Sequence, residues 1–314
     1  MNTRSFLILI ILFTALIQAC KKDEPPELLL DSKEINSHLY SVYFVNNNTG
    51  WIVGDNDTIY KTNDGGQKWS ASASGTDKKL VSVCFPDEYT GYCVGEDGII
   101  IKTINGGKSW KIIHEWQTGN LNAVTFLDDN TGIVIGDVGC ILRTENGGKT
   151  WSYIKVGTQN ALRSIDFIDK TTGYIVGWAG AILKTVDSGK TWTLINGPDL
   201  WMESVCFIDL NNGYVIGEEL PFTNSSLLKT TDGGITWTTV LGSSDKALTS
   251  AFFTSTETGY LTGLKGYLLK TTNGGDNWIT IESNTTKDLY SVFFPTKNIG
   301  YVVGINGTII KLSE

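Results

Sequence analysis

Short stretches in which apolar and polar residues alternate are separated along the chain by turn residues. The first stretch, LYSVYFV at residues 39–45, places Val42 and Phe44 on one face and Ser41 and Tyr43 on the other, which is the period of two that is typical of a β-strand. A turn ending in glycine, two further apolar stretches and a stretch that begins with tryptophan follow before the pattern starts again. This pattern predicts an all-β protein of short antiparallel strands.

The whole pattern occurs seven times. A phenylalanine of the first strand and a glycine that opens the second strand recur in register, at intervals of 40 to 46 residues, in repeats that start near residues 39, 80, 121, 162, 202, 248 and 289. The phenylalanines are Phe44, Phe85, Phe126, Phe167, Phe207, Phe253 and Phe294, and the glycines are Gly50, Gly91, Gly132, Gly173, Gly213, Gly259 and Gly300. A unit of this length cannot bury its own apolar face and must stack on its neighbours. Four strands per unit predict a seven-bladed β-propeller.

The seventh repeat has only three strands before the sequence ends at Glu314. An open sheet edge favours aggregation, so a closed ring needs a fourth strand from elsewhere in the chain. The apolar stretch ELLLDS, at residues 27–32, precedes the first blade and belongs to no repeat. We therefore expect it to complete blade seven and close a propeller that spans residues 27–314.

Six of the repeats carry a motif of Thr, Asp or Asn, Gly and Trp before the fourth strand. The Asp or Asn and the Trp of each are Asp64 and Trp69, Asn105 and Trp110, Asn146 and Trp151, Asp187 and Trp192, Asp232 and Trp237, and Asn273 and Trp278. The motif predicts a hairpin turn in which the Asp or Asn side chain accepts hydrogen bonds from turn amides, the glycine takes a positive φ and the tryptophan packs under the turn. These residues are expected to be structural.

The motif resembles the bacterial neuraminidase repeat, or Asp box, whose pattern Ser/Thr-x-Asp/Asn-x-Gly-x-Thr-Trp is met by TVDSGKTW at residues 185–192. Resemblance to sialidases would require three arginines around the carboxylate of the substrate, because lysine does not supply bidentate guanidinium bonds. The arginines of the chain are Arg4, Arg143 and Arg163, and Arg4 falls in a predicted export signal. The count excludes a sialidase.

The repeats are also similar to those of the photosystem II stability/assembly factor family, of the form TGYxVGxxGxIxKTxDGGxTW. Residues 90–110 of this chain read TGYCVGEDGIIIKTINGGKSW. Members of that family are single seven-bladed propellers that act as non-enzymatic scaffolds and hold a membrane protein or its precursor during assembly. The resemblance implies a protein-binding role of that type, with no catalytic residue and no cofactor, and it does not imply photosynthesis.

The N-terminus has the form of a bacterial lipoprotein signal. Arg4 precedes an apolar stretch at residues 6–17, whose one polar residue is Thr14 and which is followed by Gln18-Ala19-Cys20. The stretch is too short to span a membrane. We expect residues 1–19 to be removed, Cys20 to be lipidated and residues 20–26 to form a tether; the alternative is an ordinary signal peptide with an incidental cysteine. The following KKDE resembles the export tag of Bacteroidota surface lipoproteins, so the expected location is the outer membrane of the cell envelope, where the protein is expected to face the surface or the periplasm.

Charge and cysteine content exclude several classes of partner. Without residues 1–19 the chain keeps 24 basic and 33 acidic side chains, with no run of lysine or arginine beside aromatic residues, which argues against nucleic acid binding. With only two histidines and no clustered Cys/His spacing, neither a metal site nor a cofactor is expected. The remaining cysteines are Cys84, Cys93, Cys140 and Cys206. They are predicted to be buried thiols, and the sequence does not decide whether Cys84 and Cys93 form a disulfide.

Candidate binding residues come from the places where the repeat departs from itself. The loops between the second and third strands of each blade and the links between blades share one end of the ring. A five-residue insertion within residues 218–226 falls there as well. Variation on a repeated scaffold is where specificity is built. The predicted groove lies over blades three to five, with Trp116, Trp178 and Trp201 as aromatic contacts and Arg163, Glu203, Glu218 and Asp137 as polar contacts. The alternative is that these tryptophans cover the core or plug the channel.

Three functions are compatible with this sequence. The favoured one is a scaffold that binds a protein partner. The second is a carbohydrate-binding propeller accessory to glycan uptake, because exposed aromatic rings beside carboxylates suit sugar rings. The third is a glycoside hydrolase-like enzyme in which two carboxylates flank a glycosidic bond. The candidate carboxylates are Asp97, Asp137, Glu203, Glu218 and Glu219.

Overall fold

A computed structural model describes residues 27–30, 35–115, 119–219, 224–244 and 247–313. Within these ranges the chain forms seven four-stranded antiparallel sheets arranged as the blades of a propeller. Helical structure in the described ranges amounts to one 3-10 turn, Glu96–Gly98, and no helix there is long and apolar enough to cross a membrane. The predicted all-β, seven-bladed fold is confirmed.

The first six blades each consist of four consecutive strands. Blade one contains β2 (Leu39–Phe44), β3 (Gly50–Gly54), β4 (Thr58–Thr62) and β5 (Ser70–Ala73), and blade two contains β6 (Leu80–Cys84), β7 (Gly91–Gly95), β8 (Ile99–Thr103) and β9 (Lys111–Glu115). Blade three contains β10 (Leu121–Phe126), β11 (Gly132–Gly136), β12 (Ile141–Thr144) and β13 (Ser152–Tyr153), and blade four contains β14 (Leu162–Phe167), β15 (Gly173–Gly177), β16 (Ala181–Thr185) and β17 (Thr193–Asn196). Blade five contains β18 (Trp201–Phe207), β19 (Gly213–Glu219), β20 (Asn224–Thr230) and β21 (Thr238–Ser244), and blade six contains β22 (Leu248–Phe253), β23 (Gly259–Gly263), β24 (Leu268–Thr271) and β25 (Ile279–Thr280).

Blade seven joins the two ends of the described chain. Its strands are β26 (Leu289–Thr296), β27 (Ile299–Gly304), β28 (Ile309–Ser313) and β1 (Glu27–Leu30). β1 pairs antiparallel with β28, so that Glu27 lies opposite Lys311 and Leu28 lies opposite Ile310. The predicted closure of the ring by an N-terminal strand is therefore confirmed.

The two markers of the repeat, the phenylalanine and the glycine, form one contact. A Cβ atom added to Gly91 would lie 2.3 Å from the ring of Phe85, so only glycine leaves room for that ring. In six of the seven blades the other side of the ring stacks on an aromatic residue of the preceding blade, as Phe85 does on Trp51 with ring centroids 3.5 Å apart. Trp51 takes the place that tyrosine has in most repeats, and it is fully buried. This contact joins neighbouring blades.

Hydrogen bonds from these aromatic residues also join the blades. The hydroxyl of Tyr92 in blade two donates to the carbonyl of Gly147 in the Asp box of blade three, at 2.8 Å. Tyr301 in blade seven donates in the same way to Gly65 of blade one, at 2.9 Å, across the closure of the ring. Blade three has Ile133 at this position, and there Nε of Arg143 donates to the carbonyl of Ser188 instead, at 3.0 Å. Arg143 is thus structural.

The Asp boxes have the predicted hairpin geometry with an additional role for threonine. In the first box Oδ1 of Asp64 accepts a hydrogen bond from the amide of Lys68, and Oγ1 of Thr62 accepts one from the amide of Gly66, both at 2.9 Å. Gly66 has a φ of 84°, which glycine adopts without strain. The sequence interpretation assigned no role to the threonine. It also expected all six tryptophans to be buried, whereas Trp110 is buried and the other five are half-buried.

The four cysteines of the described chain are free thiols. Cys84, Cys93 and Cys140 are buried, and Cys206 is half-buried. Cys93 lies opposite Val83 in the β6–β7 ladder, one position away from Cys84. Because successive residues of a strand point to opposite faces of the sheet, the two thiols lie on opposite faces and do not form the disulfide that the sequence left open.

Candidate functional site

The two ends of the ring differ in what they present. We call the end with the second-to-third loops and the links between blades the loop face, and the end with the first-to-second turns and the Asp boxes the box face. The first strand of every blade starts at the loop face and lines the axis of the ring. The candidate residues lie where these strands start.

A β-bulge at the same place in every blade turns one residue toward the axis. In blade one, Leu39 pairs with Gly54 and Ser41 pairs with Val53, so Tyr40 is the extra residue. The first-to-second strand ladders of the other six blades have the same irregularity, and a bulge of this kind re-aims a side chain. The seven bulged residues, which all line one cavity of about 610 Å³, are Tyr40, Val81, Asn122, Arg163, Glu203, Thr249 and Tyr290. This cavity is the mouth of the central channel at the loop face, and we call it the channel mouth.

A hydrogen-bonded network crosses the channel mouth over blades three to five. Nε of Arg163 donates to Oε2 of Glu203 at 2.9 Å, and Nη1 of Arg163 donates to Oδ1 of Asn122 at 3.2 Å. The amide group of Asn122 in turn donates to Oδ1 of Asp137 at 3.0 Å. The indole N–H of Trp178 donates to the other oxygen of Glu203, also at 3.0 Å. The network brings together four of the predicted site residues and neutralises the charge of Arg163.

Trp178 and Trp201 stack on each other beside this network. Their ring centroids lie 4.1 Å apart and their planes meet at 23°, and the guanidinium carbon of Arg163 lies 5.7 Å from the centroid of the Trp178 ring. Both tryptophans line a second cavity of about 370 Å³, together with Ala161 and Ala179; we call it the tryptophan groove. The sequence predicts Trp178 and Trp201 as aromatic contacts of one groove, and the structure places them as one stacked pair.

Of the other predicted residues, one lies at the channel mouth and two lie outside the described ranges. Glu218 pairs with Trp201 across the β18–β19 ladder and lines the channel mouth. Burial and the neighbouring charge of Glu203 raise the pKa of Glu218 above its usual value. Trp116 lies outside the described residues, as does Cys20. The insertion in blade five lengthens the β19–β20 hairpin, in which Glu219 lies opposite Asn224.

Sequence reasoning missed the aromatic side of the channel mouth. The rings of Tyr40 and Tyr290 stack with centroids 5.5 Å apart, and Nζ of Lys79 lies 4.9 Å from the centroid of the Tyr40 ring. A signal was present in the sequence. The residue that follows the leucine or methionine near the start of each first strand differs in nearly every repeat, although its neighbours are nearly constant. Of these seven positions, only those of Arg163 and Glu203 were among the predicted site residues.

Deeper in the channel wall, Asp166 of β14 is a half-buried carboxyl. Its Oδ2 accepts a hydrogen bond from the amide of Phe207 in the next blade at 2.6 Å. Burial outweighs this hydrogen bond and raises the pKa of Asp166 from 3.8 to about 6. The native state therefore binds a proton at this site more tightly than the unfolded chain does.

Asp166→Asn is expected to stabilise the protein above neutral pH and to leave its stability near pH 4 almost unchanged. The stability that protonated Asp166 gives the wild type at low pH is lost as the pH rises through the folded-state pKa of about 6, whereas asparagine has no such loss. The difference in free energy of unfolding should reach on the order of 1 to 3 kcal/mol at pH 8. Urea unfolding at pH 4, 6 and 8 measures it, with the exposed Asp129→Asn as a control. A difference between the variant and the wild type that does not change with pH would contradict the assignment.

Negative charge is concentrated at the loop face. Among the described side chains, this face carries thirteen carboxylates and six lysines or arginines, an excess of seven negative charges, whereas the box face carries twelve carboxylates and fourteen lysines or arginines. The loop-face carboxylates are Asp55, Asp57, Asp77, Glu96, Asp97, Glu115, Asp137, Asp199, Glu203, Glu218, Glu219, Glu282 and Asp288, and its cations are Lys78, Lys79, Lys155, Arg163, Lys265 and Lys287. The excess charge of the ring thus surrounds the channel mouth and the tryptophan groove.

Fold and repeat together define this molecule as a seven-bladed Asp-box propeller with a cavity at one end of its axis. Arg143 and Arg163, the arginines of the described chain, lie at opposite ends of the ring. Side chains placed in this way do not converge on one carboxylate.

The chain belongs to the family described as photosynthesis system II assembly factor YCF48, whose model matches residues 28–154, 148–200 and 198–286. A structure of YCF48 bound to D1 peptide has a TM-score of 0.77 and 22% identity, with 93% of this chain and 96% of that chain covered. YCF48 from Cyanidioschyzon merolae has a TM-score of 0.77 and 19% identity, with 92% and 99% covered. An ancestral GH74 enzyme has a TM-score of 0.73 and 15% identity, and this chain matches 45% of its length. No curated protein sequence matches the chain.

Proposed function

We propose that this protein is a non-enzymatic envelope lipoprotein that binds a protein partner at its loop face. The observation that carries the proposal is the tryptophan groove beside the channel mouth, where two stacked indole rings and a satisfied polar network meet. Large aromatic residues in a partly buried pocket are typical anchors of protein interfaces. Membership of the assembly-factor family and the existence of a YCF48 complex with D1 peptide support a peptide or protein as the ligand.

The geometry favours a protein partner over the two alternatives. Trp178 and Trp201 cover part of each other's ring faces, which leaves less aromatic surface for sugar rings than two separate platforms would. Both oxygens of Glu203 accept hydrogen bonds, one from Arg163 and one from Trp178. A carboxylate held in this way positions neighbouring side chains and is poorly placed to act as a nucleophile or a base in glycoside hydrolysis.

The path of the chain into the ring supports an orientation on the membrane. Glu27 lies opposite Lys311, whose Nζ lies 3.4 Å from the carbonyl of Gly65 in the first Asp box, so β1 starts at the box face. The chain from Cys20 to Glu27 spans at most about 25 Å. Lipidation of Cys20 in the outer membrane would hold the box face toward the bilayer and leave the loop face directed away from it, open to a partner.

Affinity capture from native membranes tests the proposal. The lipidated wild type is expected to retain a partner that the Trp178→Ala, Trp201→Ala double variant loses, because the variant removes both indole rings that line the groove. Ile235→Ala serves as a matched control, since this side chain is exposed on the box face, and it should retain the partner fully. Thermal unfolding checks that all three proteins are folded. A partner held equally by the double variant would show that the loop face is not the binding site.

A further inference from the structure

Charge complementarity at the loop face specifies the chemistry of the partner. We infer that the loop face binds an extended cationic peptide segment, with a lysine or arginine side chain in the channel mouth against Glu203 and Glu218 and a neighbouring large apolar side chain in the tryptophan groove. This inference rests on the proposed function and adds to it the class of segment that is recognised. Four features of the structure support it.

The first is the distribution of charge between the two faces. The loop face has an excess of seven negative charges among the described side chains, and the box face has an excess of two positive charges. A field of one sign around a concave site attracts ligands of the opposite sign and accelerates their association. The same field repels nucleic acid, an anionic bilayer and the loop face of a second copy of this chain. A cationic segment is the occupant that it selects.

The second is that the two cations lining the channel mouth already lie against carboxylates of the same face. Arg163 pairs with Glu203 at 2.9 Å, and Lys79 lies 4.0 Å from Asp55. Carboxylates still outnumber them, because Glu218 and Glu96 line the same cavity. The cavity therefore has capacity for a further positive charge.

The third is the environment of Glu218. This carboxylate is close enough to Glu203 for the charge of Glu203 to add to the effect of burial in raising its pKa. Arg163 already pairs with Glu203, and a further cation beside Glu218 would relieve the repulsion that remains between the two carboxylates. A guanidinium or ammonium group from a partner supplies that cation.

The fourth is that the two cavities share a wall. Glu203 lines the channel mouth, Trp178 lines the tryptophan groove, and the hydrogen bond between them forms the boundary. In an extended segment, side chains at positions i and i+2 point the same way and lie about 7 Å apart. One segment therefore presents a charged and an apolar side chain to the two cavities at once.

Selection from a phage-displayed library of random peptides tests the inference, with the mature lipoprotein in detergent as bait. We expect enrichment of sequences with lysine or arginine within two residues of a large apolar side chain. A fluorescein-labelled peptide of the enriched sequence should bind Glu218→Gln about tenfold more weakly than the wild type, and raising the salt from about 0.05 to 0.5 M should weaken binding by a similar factor. Glu257→Gln on the box face is the matched control and should bind like the wild type.

The outcomes separate this inference from the proposed function. Enriched peptides without cationic residues, lost on Trp178→Ala and Trp201→Ala, would overturn the charge assignment and leave the loop face as a protein-binding surface. Peptides that bind all the variants equally would overturn both. A selection that enriches nothing over empty resin would overturn the inference, because the inference requires a short linear segment.

Discussion

Deletion of residues 27–32 is expected to lower the midpoint of thermal unfolding sharply or to cause aggregation. The deletion removes β1 and exposes the edge of β28, whose Ile309 and Ile310 are fully buried in the closed ring. An uncovered apolar edge pairs readily with other chains. The loss should reach several kcal/mol, a large share of the roughly 5 to 15 kcal/mol that stabilises a typical domain.

Deletion of residues 21–26 is the matched control for this prediction. It removes the same number of residues from the chain just before β1 and leaves β1 itself intact. Circular dichroism melting and size-exclusion chromatography of the two variants, both expressed with the N-terminal signal, measure the difference. Unchanged stability of the 27–32 deletion would show that β1 contributes little to the closure of the ring.

Trp110→Ala is expected to reduce the free energy of unfolding by about 3 to 5 kcal/mol, as is usual for a buried aromatic side chain. Trp110 is 7% exposed, and its ring meets that of Phe85 edge to face at a centroid distance of 5.7 Å. Phe85 in turn stacks on Trp51 of blade one. The cavity left by the indole therefore loosens the contact between blades one and two as well as the Asp box itself.

A control in the same Asp box separates burial from a general effect of mutation. Ile104 is 74% exposed, so Ile104→Ala should change the free energy of unfolding by less than about 0.5 kcal/mol. Trp69→Ala should give an intermediate loss, because the indole of Trp69 is only half-buried. Urea denaturation of the three variants ranks them. A loss of less than about 1 kcal/mol for Trp110→Ala would mean that the box does not depend on its tryptophan.

The fold could be predicted from the sequence because its repeated contacts each require particular residues at fixed spacing. The glycine that opens each second strand is required by the ring of the phenylalanine, as Gly91 is by Phe85, so the two recur together. Ring closure could be predicted because blade seven lacked a strand and one apolar stretch had no place in any repeat. Each prediction followed from a local requirement that only a few residue types satisfy.

The candidate site could be predicted only in part. Repeat position placed Trp178 and Trp201 at the same end of adjacent blades, but it carried no information on whether their rings stack on each other or stand apart. The ion pair of Arg163 with Glu203 depends on the bulges that turn both side chains toward the axis. A bulge changes side-chain direction without changing the residue spacing, so sequence spacing alone does not reveal it.

Site-specific photo-crosslinking in intact cells tests the central claim, that the partner binds at the loop face, most directly. Benzoylphenylalanine replaces Ala179, an exposed residue of the tryptophan groove, or Ile235, an exposed residue of the box face. We expect a discrete protein adduct from position 179 and none from position 235, with the adduct lost when Trp201→Ala is added. Adducts from position 235 alone, or in equal amount from both positions, would contradict it.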